Sequence, residues 1–161
     1  MQIKSARFLA SMKKKADYPE TGLPEIAICG KSNVGKSSLI NYLTNNSKLA
    51  KVSATPGKTR LVNFFVLNES FVLVDLPGYG YARVSQQEKR SWAEMIETYL
   101  NTTKNLRALL ILVDIRHKPT EDDRMMLKWA SVYGIYVIVV ATKADKIAKT
   151  KRPLALKALC A

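Results

Sequence analysis

The stretch GKSNVGKS, residues 30–37, decides the fold, because it matches the pattern GxxxxGK[ST] at every fixed position. A short apolar run, residues 25–29, precedes it and predicts a buried strand, while residues 36–43 have the composition of a helix. A loop between a strand and a helix presents backbone N–H groups and the positive end of the helix dipole to an anion. The sequence therefore predicts a phosphate-binding loop at this point of the chain.

Each residue type in this loop has its own predicted role. Gly30 and Gly35 permit tight turns and a close approach of the backbone to a ligand. Lys36 supplies a positive charge to the outer phosphates, and the Ser37 hydroxyl is placed to bind Mg²⁺. A glycine turn beside a surface lysine is the structural alternative, which the strand and helix on either side disfavour.

Strands and helices alternate along the rest of the chain. Two capping boxes, which begin at Ser85 and Thr120, predict helices that end near Leu100 and Val132. This alternation predicts an α/β fold with a mostly parallel sheet between two layers of helices. The predicted strands are residues 25–29, 61–67, 71–75, 108–114 and 136–141, of which 61–67 and 71–75 form a hairpin.

A second phosphate motif, DLPG at residues 75–78, lies at the end of a predicted strand. Ligands of α/β proteins bind at the carboxyl ends of the strands. Asp75 can orient Mg²⁺ through a water molecule, and the N–H group of Gly78 can reach a γ-phosphate. These two residues therefore predict a sensor of the third phosphate.

A base-recognition motif, TKAD at residues 142–145, follows the last predicted strand. The carboxylate of Asp145 can accept hydrogen bonds from N1–H and the 2-amino group of guanine, and adenine has neither donor. The aliphatic part of Lys143 can pack over the base. The three motifs in this order predict binding of a guanine nucleotide.

Composition limits the classes of protein that remain. The 161 residues include 26 Lys and Arg against 13 Asp and Glu, so the formal net charge is +13. No run of about 18 apolar residues predicts a membrane span, and two cysteines give no disulfide framework, which favours the cytoplasm. The positive charge predicts a nucleic-acid partner or an anionic membrane surface, with simple solubility as the alternative.

The amino-acid sequences of the motifs resemble those of the EngB (YihA/YsxC) family of bacterial GTPases, and the resemblance extends from about residue 3 to residue 147. The matching segments are LPEIA (23–27), GKSNVGKSSLIN (30–41), PGKT (56–59), DLPGYGY (75–81), DIRH (114–117) and ATKADKI (141–147).

The resemblance implies a Ras-like P-loop GTPase fold, a three-layer sandwich whose six-stranded sheet has one antiparallel strand. It implies a monomer that binds GTP and GDP, hydrolyses GTP slowly with Mg²⁺, and acts with ribosomal RNA in assembly of the large ribosomal subunit. It also implies a role in normal cell division and septation. The expected domain plan is a basic N-terminal segment at 1–24, a G domain at 25–147, and a short basic tail at 148–161 whose structure the sequence does not determine.

The same resemblance assigns individual site residues. Ser37 and Thr59 would bind Mg²⁺ directly and Asp75 through water, while Lys36, Thr59 and Gly78 would act in catalysis. Asn33 resembles a K⁺ ligand of related GTPases, with a turn-forming asparagine as the alternative. The expected nucleotide-binding residues are Gly30, Lys31, Ser32, Asn33, Val34, Gly35, Lys36, Ser37, Ser38, Gly57, Lys58, Thr59, Asp75, Gly78, Thr142, Lys143 and Asp145.

Two departures from the family affect these expectations. Tyr79 follows Gly78 where Ras-like enzymes that orient water carry glutamine, which predicts slow intrinsic hydrolysis. After Asp145 only 16 residues remain, and the family's last strand, guanine-contact loop and closing helix are not recognisable among them. The sequence thus predicts a sheet without its last strand, with residues 136–141 as an apolar edge.

Two other functions stay open from the sequence alone. One is a shortened, inactive or nucleotide-independent RNA-binding copy, which the charge and the missing last strand favour. The other is an ATP-using P-loop enzyme, which Asp145 argues against because its carboxylate would find no donors on adenine.

Overall fold

The structure, a computed structural model, describes residues 2–50, 61–80 and 85–159. Within these ranges six strands form one sheet in the order β1-β3-β4-β2-β5-β6. The strands are β1 (Ala6–Met12), β2 (Glu25–Gly30), β3 (Val62–Leu67), β4 (Phe71–Asp75), β5 (Leu106–Asp114) and β6 (Tyr136–Thr142). The helices are α1 (Lys36–Leu43), α2 (Gln86–Thr102), α3 (Glu121–Val132) and α4 (Arg152–Leu159).

The sheet is mostly parallel, as the sequence predicts. Strands β4, β2, β5 and β6 pair in parallel, whereas β3 is antiparallel to both β1 and β4. Both predicted capping boxes are present, with the hydroxyls of Ser85 and Thr120 accepting from the N–H groups of Glu88 and Asp123. The α/β fold with one antiparallel strand is confirmed.

Strand β1 lies within residues 1–24, where the sequence analysis assigns no strand. It pairs with β3 from Ala6 opposite Leu67 to Met12 opposite Val62. Its pairing shifts between Phe8 and Ala10, so its side chains do not follow a strict alternation of buried and exposed positions. A half-exposed edge strand with such an irregularity gives little periodic signal in the sequence.

Strand β6 is much more exposed than a central parallel strand. Tyr136 is 70% exposed, Val139 50% and Ile138 43%. These side chains are not those of a buried central strand. The reason is its position: β5 flanks one side, and no strand in the described ranges pairs with the other. This outcome agrees with the expected apolar edge at residues 136–141.

The core consists of two clusters, one on each face of the sheet. One contains Trp92 and Tyr99 of α2 and Met126 of α3, and the other contains Ile40 of α1 with Phe65 of β3. Helices thus cover both faces, as a three-layer arrangement requires. None of the helices in the described ranges has the length and apolar character needed to cross a bilayer.

A buried carboxylate organises the amino end of the sheet. Glu25, at the start of β2, is 0% exposed. Its Oε1 accepts from the Tyr18 hydroxyl at 2.6 Å, and its Oε2 accepts from Tyr99 at 2.7 Å and from Thr103 at 2.8 Å. Burial, with a smaller contribution from Glu25, raises the pKa of Tyr18 to about 12. These bonds join the N-terminal segment, β2 and the end of α2.

The carboxyl ends of four parallel strands, β2, β4, β5 and β6, lie side by side at the opposite end of the sheet. Ile28 of β2 pairs with Asp75 of β4, and Asp114 of β5 pairs with Thr142 of β6. Because the strands are parallel, the segments that follow them emerge at this same end. The phosphate motif, the DLPG motif and the TKAD motif are brought together there.

Candidate functional site

The loop at residues 30–37 connects β2 to α1, as predicted. At Gly30 a Cβ atom would lie 2.8 Å from Val34 Cγ1 and 2.9 Å from the carbonyl oxygen of Leu112. At Gly35 the backbone φ is +107°, a value that favours glycine. The sequence pattern thus needs glycine at Gly30 for close packing and at Gly35 for backbone conformation.

Unpartnered backbone donors mark the start of α1. The N–H groups of Gly35, Lys36 and Ser37 take no hydrogen-bond acceptor within the described part of the chain. These groups lie at the helix N-terminus, where the dipole adds a partial positive charge. An anion is the natural ligand for such an arrangement.

Lys36 and Asp75 form an ion pair beside these donors. The Lys36 ammonium donates to Asp75 Oδ1, and the two side chains are only 13% and 12% exposed. The sequence analysis assigned these residues to one phosphate and metal site from motifs 39 residues apart. The structure places them in direct contact.

The segment after β4 lies along the phosphate loop. The Leu76 N–H donates to the carbonyl of Ile28 at 3.0 Å, and the Ser32 N–H donates to the carbonyl of Tyr79 at 2.8 Å. A Cβ atom on Gly78 would lie 3.4 Å from the Gly30 carbonyl oxygen, so the segment is close to the loop. The Gly78 N–H takes no acceptor within the described ranges, and it remains available to a ligand.

Tyr79 faces the core instead of the phosphate loop. Its side chain is 3% exposed and its hydroxyl donates to Asp123 of α3. Its ring packs edge-to-face on Trp92, whose indole N–H donates to the Pro77 carbonyl at 2.8 Å. Burial, reinforced by Asp123, raises the pKa of Tyr79 well above its usual value. A buried ring of this kind has no group with which to orient a water molecule at the loop.

Thr142 connects the base motif to the phosphate loop. Its hydroxyl donates to the Val34 carbonyl at 2.8 Å. Asp145 lies farther out, with a side chain 71% exposed and 3.4 Å from the ammonium of Lys146.

The sequence analysis assigned no role to Asp114 by itself. Its carboxylate accepts from Arg116 at 2.7 Å and from Lys143 at 3.1 Å. The Arg116 guanidinium, helped by Lys143, holds the pKa of Asp114 well below its usual range. Lys143 has φ +58°, so Asp114 fixes a side chain on a strained backbone. Its position at the end of β5, next to TKAD at the end of β6, is the signal that could have indicated this role.

The remaining predicted residues vary in exposure. Lys31, Asn33 and Ser38 are exposed, Ser32 and Ser37 are half-buried, and Val34 is buried. Asn33 has φ +63°, which suits a turn-forming asparagine. Gly57, Lys58 and Thr59 lie outside the described residues. A pocket of about 220 Å³ adjoins the loop, and its lining includes Lys31, Asn33, Asp114, Arg116, His117 and Lys118.

Comparison with known proteins agrees with this geometry. The family model described as "50S ribosome-binding GTPase" matches residues 25–143. The probable GTP-binding protein EngB of Clostridium perfringens is 58% identical over 151 residues, which are 94% of this chain and 77% of that protein. The chain belongs to the EngB family of GTP-binding proteins. An EngB of Pelotomaculum thermopropionicum is 54% identical over 159 residues, covering 99% of this chain and 80% of that protein.

Solved structures show the same fold. A crystal structure of a probable GTP-binding protein EngB matches with a TM-score of 0.67 at 25% identity, over 84% of this chain and 78% of that one. Aquifex aeolicus Era matches with a TM-score of 0.62 at 28% identity, over 84% of this chain and 45% of that one. The resemblance to the EngB family and the P-loop GTPase fold are therefore confirmed.

Proposed function

We propose that this EngB-family chain is a slow GTPase switch that assists assembly of the large ribosomal subunit. The observation that carries the proposal is the juxtaposition of Lys36 and Asp75 with the N–H groups of Gly35, Lys36 and Ser37, which have no acceptor within the described ranges. GTP binds there through its phosphates, and hydrolysis to GDP removes the phosphate that Gly78 senses.

The phosphates interact first with the loop. The N–H groups of Gly35, Lys36 and Ser37 donate to phosphate oxygens, and the Lys36 ammonium supplies a full positive charge. The hydroxyls of Ser37 and Thr59 would bind Mg²⁺ directly and the carboxylate of Asp75 through water, since Mg²⁺ prefers oxygen ligands. Bound Mg²⁺ would neutralise charge on the phosphate oxygens.

Guanine binds at the end of β6. Asp145 pairs with the base, and its exposure in the structure makes it accessible to an incoming nucleotide. Lys143, held by Asp114, packs its aliphatic part on the base. Thr142 transmits the position of this motif to the phosphate loop through its bond to Val34.

Slow hydrolysis follows from the position of Tyr79. Its side chain is buried against Asp123 and Trp92, so the residue after Gly78 does not orient the attacking water. A partner or a K⁺ ion bound by Asn33 would then have to supply the missing stabilisation. A hydrolysis rate that is the same in K⁺ and Na⁺ would exclude the Asn33 site.

The partner we propose is ribosomal RNA in a precursor of the large subunit. The net charge of +13 and the description of the matching family as "50S ribosome-binding GTPase" support it. From the family resemblance we extend the proposal to a cytoplasmic monomer needed for normal cell division and septation.

Titration of fluorescent GDP and GTP in the presence of Mg²⁺ tests the nucleotide part. We expect micromolar binding that GTP displaces and ATP does not, and that Asp145→Asn abolishes. If the folded chain binds no nucleotide but still binds RNA, the second candidate, a nucleotide-independent RNA-binding protein, replaces the first. The basic composition is the observation that favours this second candidate.

A further inference from the structure

Asp123 makes two separate sets of contacts, although it is only 4% exposed. Its Oδ2 accepts from the N–H and the hydroxyl of Thr120, both at 2.7 Å, which closes the cap of α3. Its Oδ1 accepts from the Tyr79 hydroxyl. The second contact is not needed by the cap, and it ties α3 to the segment that follows β4.

This segment is held on both sides of Gly78. Before it, the Pro77 carbonyl accepts from the indole N–H of Trp92 at 2.8 Å. After it, the N–H group of Tyr79, which belongs to the peptide group between Gly78 and Tyr79, donates to the Gly30 carbonyl at 3.4 Å, and the Tyr79 hydroxyl is held by Asp123. The two peptide groups that flank Gly78 therefore have little freedom to rotate, whereas its own N–H group has no acceptor within the described ranges.

We propose that Asp123, acting through Tyr79, is a positioning residue that aims the Gly78 N–H at the third phosphate and so sets the preference for GTP over GDP. This inference rests on the proposed function, because it assumes that Gly78 meets the γ-phosphate. Asp123 itself does not touch the nucleotide. Its effect is confined to the phosphate by which GTP and GDP differ.

Tyr79→Phe is the test, because it removes the hydroxyl and keeps the ring that packs on Trp92. Thr120→Val is the matched control, because it weakens the same cap of α3 and leaves the Tyr79 contact in place. The dissociation constants of GDP and a non-hydrolysable GTP analogue are measured for both variants and for the original chain. Thermal unfolding of each protein is recorded in parallel.

We expect Tyr79→Phe to weaken binding of the GTP analogue about 5- to 10-fold, as the loss of one aligned charge-assisted hydrogen bond predicts, with GDP changed less than about 2-fold. Thr120→Val should lower the unfolding temperature and leave the ratio of the two constants unchanged. If Tyr79→Phe does not fold, Asp123→Ala replaces it. This change removes the acceptor of the Tyr79 hydroxyl and also weakens the cap of α3, so its shift in the ratio must exceed that of Thr120→Val.

Four results would overturn the inference. Equal weakening of both nucleotides by Tyr79→Phe, or no change in either, refutes the positioning role while the proposed function stands. A shift in the ratio caused by Thr120→Val as large as that of Tyr79→Phe refutes it also, because general loosening of α3 would then explain both. Failure of the original chain to bind either nucleotide refutes the proposed function itself, and the inference with it.

Discussion

The two ends of the sheet each bury a carboxylate, and they treat it in opposite ways. At the amino end, Glu25 is fully buried and accepts from three neutral hydroxyl groups. At the carboxyl end, Asp75 is 8% exposed and pairs with one cation, Lys36. Glu25 accepts from side chains of the chain itself, whereas beside Asp75 the N–H groups of Gly35, Lys36 and Ser37 have no acceptor among the described residues.

This difference distinguishes buried polar groups that stabilise the fold from buried polar groups that bind a ligand. A buried polar network that is complete adds rigidity, because any movement would leave one of its members unsatisfied. A network that is incomplete costs stability, and natural proteins retain such costs mainly where a ligand completes the set. We therefore expect substitutions at the amino end to change unfolding, and substitutions at the carboxyl end to change binding.

The largest expected effect is that of Glu25→Ala. Removal of the carboxylate takes the acceptor from the buried Tyr99 hydroxyl and from the half-buried hydroxyls of Tyr18 and Thr103, and it creates a cavity. The free energy of unfolding should therefore fall by about 3 kcal/mol. Chemical denaturation measures it, with the exposed Glu20→Ala as the control. If the folded variant also lost nucleotide affinity, the separation between the two ends would be wrong.

Lys36→Ala should change nucleotide binding more than it changes unfolding. Without the ammonium, the affinity for GDP and GTP should fall about 100-fold, which corresponds to about 2.7 kcal/mol and to the loss of one or two charge-assisted hydrogen bonds. Fluorescence titration measures it against Lys48→Ala, which replaces an exposed lysine beyond α1. An affinity within about 3-fold of the original would contradict the assignment of Lys36 to the phosphates.

Thr142→Val tests the bond between the base motif and the phosphate loop. Valine keeps the shape of threonine and removes the hydroxyl that donates to Val34, so nucleotide affinity should fall about 5-fold, or about 1 kcal/mol. The matched control is Thr150→Val, at an exposed threonine. Equal effects of the two changes would show that the hydrogen bond does not contribute.

The smallest expected effect is that of Asp114→Asn on stability. Because Arg116 and Lys143 lower the pKa of Asp114 in the folded chain, its ionised form stabilises the fold above the unfolded pKa of about 4. This contribution is lost as the pH falls toward the folded pKa. We expect a deficit of about 0.5 kcal/mol at pH 7 that narrows steadily below pH 4 in denaturation experiments, whereas a pH-independent deficit would exclude the ion pairs as its cause.

The secondary structure around the site was predictable because its signals are local. The strand at Glu25, the phosphate loop and the caps at Ser85 and Thr120 each depend on a few neighbouring residues. Because these strands are parallel, Asp75 and Asp114 at their ends lie at the same end of the sheet, and this position could be inferred from the strand order alone. These features needed only pattern and topology.

The rest depends on contacts between distant residues. Nothing local in Tyr79 shows that it faces the core, because that orientation is set by Asp123 and Trp92, 44 and 13 positions away. Strand β1 lacks periodicity, and the exposure of β6 depends on what pairs with its outer side. The exposure of Asp145 likewise reflects its surroundings in the folded chain and cannot be deduced from the four letters of its motif.

The Lys36–Asp75 ion pair also has a kinetic consequence. A phosphate and the Asp75 carboxylate compete for one ammonium group, so the strand next to β2 carries an intramolecular competitor of the nucleotide. Part of the free energy of nucleotide binding offsets the cost of separating that ion pair, which lowers the affinity for the product, GDP. As a phosphate leaves, the Asp75 carboxylate can pair with the Lys36 ammonium again, and this shortens the lifetime of the bound nucleotide.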